Sequence, residues 1–251
     1  MQRGGPIGDE SHGDYDPYST ALLRRRPNGT WVVPEVELFE PPNVMDTPQS
    51  LFPTTAIRHR SIPGTMTNLR FVNQHNPHEM LIYTDGACPN NGQRYPKAGW
   101  GFVIHGPTSR YPAYTVIGRL EQYGPSGKLG PQASNRAELR AVLAALEARA
   151  WYVEDWYSVV IATDSEYVAH GATAWIRSWA SNDWRTSNGD VAKNLDLWQA
   201  LMRVILDYQN RGTSISFWPI RRERNMQADA AAKEGAQGPD LVGFEKAMLM
   251  G

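Results

Sequence analysis

The sequence predicts an α/β fold: a five-stranded mixed sheet, three antiparallel strands followed by two parallel ones, flanked by helices. Three observations carry this. Compact apolar runs of strand length end in Asp or Gly/Pro turns. Longer segments between them repeat their apolar residues at helical spacing. The order of the two kinds from residue 79 onward is β-β-β-α-β-α-α-β-α, which places helices on the faces of a mixed sheet.

The elements follow in order. MLIYTDGAC is a strand that runs into an Asp-Gly turn. WGFVIHG and YTVIGRLEQ are two further strands, spaced by Gly/Pro turns, and complete an antiparallel meander. SNRAELRAVLAALEARAWY is a helix: Ala137, Val142, Leu143, Leu146 and Ala150 share one face, and Ser134 is its expected cap. SVVIATDS is a wholly apolar strand ending on Asp164, and EYVAHGATAWIRSWA a helix after it. SNDWRTSNGDVAKN is a polar loop. LDLWQALMRVILDYQNRG is an amphipathic helix closed by Gly212. TSISFWPI is the last strand and NMQADAAAKEGA the last helix. Strands four and five alternate with helices, so they run parallel to the first.

Residues 1–78 differ in texture. Ten prolines interrupt short apolar pieces such as TWVV and ELF, too little surface to offset chain entropy alone. The expectation is a Pro-rich, largely extended or disordered N-terminal arm, with at most a short hairpin or packed stretch. Residues 79–240 form the globular domain and residues 241–251 a C-terminal tail.

Bulk numbers exclude several classes. The 25 basic and 26 acidic residues balance, so net charge alone does not mark a nucleic-acid binder. A single cysteine, Cys88, forbids an internal disulfide and is read as a packed residue. No apolar run approaches the ~20 residues of a membrane span, and the N-terminus matches neither a secretory signal nor a transit peptide. An intracellular protein, nuclear or cytoplasmic, with no membrane association, is expected. A monomer is expected as well, with the arm available to dock a protein partner.

Four carboxylates stand at element ends. Asp85 ends the first strand, Glu138 lies one turn into the first long helix, Asp164 ends the fourth strand and Asp229 opens the last helix. Central, neighbouring first and fourth strands would bring Asp85 and Asp164 together. Clustered carboxylates repel one another unless cations share the site. Oxygen-only ligands suit Mg²⁺ or Mn²⁺, and two such ions ~4 Å apart serve phosphoryl transfer. Singly, each acid also has an ordinary structural reading as a turn former, cap or exposed helical residue.

YTDGACPNNG, AGWGFVI, SNRAEL, TDSEYV, WASNDWRTSNGDVAKNLDLW and RERNMQADAAAK resemble, in order, the motifs of the ribonuclease H type 1 family, over about residues 80–236. The resemblance implies the ribonuclease H-like fold and endonucleolytic cleavage of the RNA strand of an RNA/DNA hybrid. It also implies two divalent ions per site (Mg²⁺ or Mn²⁺), and 5′-phosphate and 3′-hydroxyl products. Asp85, Glu138, Asp164 and Asp229 fall on the family's four catalytic, metal-binding acids.

The resemblance also implies a substrate-binding set. Asn91, Ser134, Asn135 and Glu166 fall where the family contacts the minor groove, in which uncharged polar groups read the RNA 2′-hydroxyl. Trp175 and Trp179, four apart on one helix face, fall on the DNA-strand channel, and Asn194 on a DNA phosphate contact. Pro131 and Ala133 replace an arginine and a threonine of that phosphate pocket. The loop after Trp179 lacks the lysines of many relatives, offering Arg185 and Lys193 against Asp183 and Asp190, so weak, shallow salt dependence of binding is expected. Asn225 matches a family asparagine. The loop before Asp229 has no histidine and resembles the Arg-x-x-Asn variant, here Arg222 to Asn225. Arg222, always charged, is expected to replace the histidine electrostatically. The competing expectation is a non-catalytic or weakly active nucleic-acid-binding domain of this fold, derived from a retroelement.

Overall fold

The computed structural model describes residues 23, 25–27, 29–57 and 68–249. The expected arm character of residues 1–22 lies outside them. The elements are β1 (Glu37–Leu38), α1 (Pro48–Leu51), β2 (Thr54–Ile57), β3 (Asn68–Val72), β4 (Glu79–Ala87), β5 (Gly99–His105), β6 (Tyr114–Arg119), α2 (Ser134–Glu147), β7 (Ser158–Thr163), α3 (Glu166–His170), α4 (Ile176–Ser181), α5 (Leu195–Asn210), β8 (Ser214–Pro219) and α6 (Met226–Ala236). Short 3-10 turns cover Trp151–Glu154 and Arg222–Arg224, and a π-helical turn joins α3 to α4 over Gly171–Trp175.

The anticipated five strands are present with the anticipated sense. β4, β5 and β6 form the antiparallel meander; β7 pairs parallel with β4 and β8 parallel with β7. The sheet is wider than five strands because segments before residue 79 extend it. β1 joins β8 in parallel, β3 pairs antiparallel with the start of β4, and β2 adds beyond β3. β4 therefore carries two partners on one edge: β3 opposite Met80 and Leu81, β5 opposite Tyr83 to Ala87. These added strands are two to five residues long. Pairing to an existing sheet edge, not their own periodicity, holds them.

Both faces of the sheet are covered, which explains the continuous apolar strands. Met80 and Ile82 of β4, with Val159 and Ile161 of β7, face one core together with α2 and α5. Leu81, Tyr83, Val160 and Ala162 face the second core, which Leu51, Phe52, Trp218 and Ala228 complete. Phe52 is fully buried, a contribution of about 1.5–3 kcal/mol. The arm thus supplies part of both cores, since Leu23, Val36 and Val72 belong to the first. The tail also docks: the backbone N–H groups of Gln122 and Tyr123 donate to the carbonyls of Leu241 and Val242, and Arg140 lies over the Phe244 ring.

Close approach fixes two helices on the sheet. A Cβ on Gly86 would stand 2.0 Å from the Glu138 backbone nitrogen, so glycine lets β4 meet the start of α2. On α6, Ala231 stands 2.6 Å from where a Gly101 Cβ would be, so the alanine run matches glycines of β5. Two local expectations change. Ser134 is the first helical residue of α2, and Ala133 takes the cap position without a side-chain bond. The helix expected from residue 166 is broken by the π turn, where Gly171 lies directly under Trp198. Among the described residues, no helix is long and apolar enough to cross a membrane.

Candidate active site

Strand register sets the first pair of acids. Tyr83 lies opposite Ala162 in the parallel β4–β7 ladder. Two residues further along each strand stand Asp85 and Asp164, so both carboxylates leave the sheet side by side. Asp85 lies within β4, two residues before its end, rather than closing it. Its side chain is only 3% exposed. The Gly86 N–H donates to Asp85 Oδ1 (2.8 Å) and to Glu138 Oε2 (3.1 Å), which joins α2 to β4 at this point.

The electrostatics follow from crowding. Burial, then the charge of Asp164, pushes the Asp85 carboxyl up to about 7, against a hydrogen bond with Glu138 that pulls it down. Burial, then Asp85 and Asp164, holds Glu138 well above the usual carboxylate range. The two carboxyls share one site that carries more negative charge than it can hold unaided.

Asp164 and Asp229 have protein partners. Asn225 Nδ2 donates to Asp164 Oδ1 (2.6 Å) and to the Thr84 carbonyl (3.0 Å), linking the loop before α6 to both central strands. Asn225 is 1% exposed. Its amide nitrogen is thus spent on holding Asp164 and the Thr84 carbonyl. Asp229 sits in the first turn of α6 between two cations: Arg222 Nη2 at 3.0 Å from Oδ1 and Lys233 Nζ at 2.6 Å from Oδ2. The Arg222 side chain is 72% exposed, and its pKa is raised by its bond to Asp229, then by the charges of Asp229, Asp164 and Asp85. It therefore faces the acid cluster while remaining open to solvent.

These acids suit divalent cations by donor chemistry, being all carboxylate oxygens with the two most buried ones raised by burial and then by neighbouring carboxylate charge. Among the described residues, no three such side chains already converge closely enough to hold an ion. Asp229 in particular would have to exchange Lys233 or Arg222 for a metal.

The expected substrate residues divide by place. Asn91, Ser134, Asn135 and Asn194 line one groove of about 790 Å³, together with Tyr167, Lys128 and Lys193. Pro131 and Ala133 also line it. Lys128, a cation that the sequence reading did not single out, lines the same groove. Arg136 is buried and forms a bidentate pair with Asp196 at 2.9 and 2.7 Å, fixing α2 to the start of α5. Asn194 takes a left-handed backbone conformation (φ 57°) and its Nδ2 donates to the Tyr167 hydroxyl at 3.2 Å. That hydroxyl also accepts from Trp198 Nε1 and donates to the Lys193 carbonyl. Tyr167, inside the TDSEYV motif beside Glu166, is a hub that motif spacing could have marked.

Trp175 and Trp179 do meet, with ring centroids 5.8 Å apart. Trp179 leans on buried Trp198 at 5.9 Å, and Trp175, 40% exposed, presents its ring to solvent. Glu166 is exposed at the start of α3. The polar loop is less acidic than its sequence suggests, because Arg25 pairs with Asp183. Cys88 is buried and its thiol is raised by that burial, which fits a packed residue.

Residues 77–237 match the family model described as RNase H. The chain belongs to the RNase H family. A ribonuclease H of Afipia carboxidovorans is 36% identical over 159 residues, 63% of this chain and 93% of the relative. One of Nitrobacter hamburgensis is 35% identical over 159 residues, 63% of this chain and 91% of the relative. One of Anaplasma marginale is 41% identical over 127 residues, 51% of this chain and 71% of the relative. Among solved structures, a type 1 RNase H with the type 2 active-site motif is 24% identical, with 63% of this chain and 72% of that chain covered and a TM-score of 0.45. Membership makes the chain a ribonuclease H hydrolase, and the mixed α/β fold agrees with it. β1, α1, β2 and β3 all precede residue 77 and so lie outside the matched region.

Proposed function

We propose that this chain hydrolyses the RNA strand of RNA/DNA hybrids, using two Mg²⁺ or Mn²⁺ ions and leaving 5′-phosphate and 3′-hydroxyl ends. The observation that carries the reading is the β4–β7 register, which sets Asp85 beside Asp164 with Glu138 on the same backbone N–H group. Asp85, Glu138, Asp164 and Asp229 would hold the ions. Divalent cations bound there supply Lewis-acid stabilisation of charge that builds on the scissile phosphate. Asp85 and Glu138, whose carboxyls burial and neighbouring charge hold up, would bind the ions as carboxylates. Asn225 keeps Asp164 aimed into the cluster. Arg222 stays charged and offers its exposed guanidinium to the phosphate or the leaving group.

The groove lined by Asn91, Ser134, Asn135 and Asn194 receives the hybrid. Its polar side chains suit 2′-hydroxyl recognition, and Lys128 and Lys193 suit phosphate. Trp175 offers a ring to the DNA strand. The second reading, a weakly active binder, draws on one observation: Arg222 and Lys233 both occupy Asp229. A panel of labelled hybrid, duplex RNA, duplex DNA and single strands, incubated with Mg²⁺ or Mn²⁺, tests the proposal. The expected result is hybrid-restricted cleavage whose products carry 5′-phosphates. Tight hybrid binding without cleavage in either metal would favour the second reading.

A further inference from the structure

The segment ahead of the family region reaches the candidate active site from behind. α1 is started by side chains at its N-terminus: Thr47 and Ser50 form a reciprocal cap, and Pro48 opens the helix. That holds Gln49 at the surface, where its Nε2 donates to the Arg224 carbonyl at 3.0 Å. Two residues past α1's end-point Leu51, Pro53 accepts from the Val72 N–H, and Leu51 itself accepts from the Gln74 N–H, so the helix is tied to β3. Phe39 and Phe52 pack on Trp218 at 4.9 and 6.1 Å. Trp218, near the end of β8, and Arg224 flank Arg222 in the short connection from β8 to α6, and Asn225 follows Arg224 directly. Residues from outside the family match thus touch the connection at Trp218 and Arg224; within the domain it is held by the Ile220 N–H on the Thr163 carbonyl, by the Asn225 side chain on Asp164 and the Thr84 carbonyl, and by the turn bonds from Arg224 N–H to Arg221 and from Asn225 N–H to Arg222.

We propose that the segment Phe39–Phe52 is a built-in brace for this connection, and that Gln49 and Phe39 are positioning residues which act through Asn225 on Asp164 and through Arg222 on Asp229. This rests on the functional reading above. Its physical logic is that a short loop without a histidine has to place an arginine and an asparagine accurately, and a hydrogen bond with a ring cluster restricts its alternatives. Gln49 touches none of the four acids in the structure, so its effect would be indirect.

The test uses the full chain. Gln49→Leu removes the donor at an exposed position, Gln49→Lys keeps a donor of similar reach, and Phe39→Ala loosens the ring cluster. Turnover and KM on an RNA/DNA hybrid are measured together with backbone amide exchange at Arg224 and Asn225, which needs no activity. Losing one hydrogen bond should slow turnover about threefold to tenfold, with KM changed less than about twofold and faster exchange at both amides. Gln49→Lys should recover both readouts, and Phe39→Ala should repeat the Gln49→Leu pattern. Wild-type exchange rates in Gln49→Leu and Phe39→Ala would overturn the brace. So would altered exchange with unchanged turnover. If the wild type cleaves no hybrid, the functional reading fails, and unchanged exchange in the variants would overturn the brace independently.

Discussion

Replacing Asp85 by Asn should stabilise the metal-free protein at high pH. Asp85 is raised from 3.8 to about 7, a gap of roughly 3 units (7 − 3.8), and each unit corresponds to about 1.36 kcal/mol. The upper bound is therefore about 4 kcal/mol. Glu138 remains buried in the variant and keeps part of the strain, so a gain of about 2 kcal/mol at pH 8 is the working figure. The sign follows from linkage. A carboxyl whose folded pKa is raised binds its proton more readily when folded, so its stabilisation is fully present below ~pH 4 and is lost as pH rises through about 7. The assay is thermal unfolding of wild type and Asp85→Asn with chelator, from pH 4 to pH 8. The two curves should lie closest at the acid end and separate by about 4–8 °C at pH 8, the variant being higher. Adding Mg²⁺ or Mn²⁺ at pH 8 should raise the wild type and leave the variant nearly unmoved. A variant less stable than wild type at pH 8 with chelator would refute the electrostatic reading of the site.

Four further outcomes are expected. Asn225→Ala should cost about 1–3 kcal/mol of stability, because the buried Thr84 carbonyl and Asp164 lose a donor, and turnover should fall; chemical denaturation with hybrid kinetics checks both. Arg222→Ala should lower turnover about tenfold with hybrid affinity changed less than about twofold. At saturating metal the wild-type rate should lack an inflection near pH ~6.5, and one seen at low metal should move with metal concentration, as competition between protons and metal at Asp85 requires. Hybrid affinity should fall only modestly with salt, and Lys128→Ala or Lys193→Ala should each reduce the salt slope by about 1.

Much of the fold was legible because its signals are local. β4 and β7 are apolar on both faces since both faces are covered, and Gly86, Gly99 and Gly101 mark where helices touch the sheet. The four acids stood out because each lies near the start or end of an element, although Asp85 proves to lie two residues inside β4. What escaped depends on contacts remote in sequence. β1 and β2 are too short to show a period and exist by pairing to β8 and β3. Leu51 and Phe52 resemble loop residues until Trp218 and Tyr83 supply the rest of their core. Asn225 carries a family-like position but not its depth, and burial is a tertiary property. The role of Arg136 depends on Asp196, sixty residues on. Tyr167 lies within the TDSEYV motif, and the convergence of Asn194, Trp198 and Lys193 on its hydroxyl shows its role as a hub.

The measurement closest to the central claim is cleavage of an end-labelled RNA/DNA hybrid in Mg²⁺ or Mn²⁺ by wild type, Asp85→Asn and Asp164→Asn side by side. Endonucleolytic cuts in the RNA strand by wild type, with product from either variant reduced by at least about 100-fold, is the predicted result. Equal product from wild type and the variants would contradict a carboxylate-held metal site.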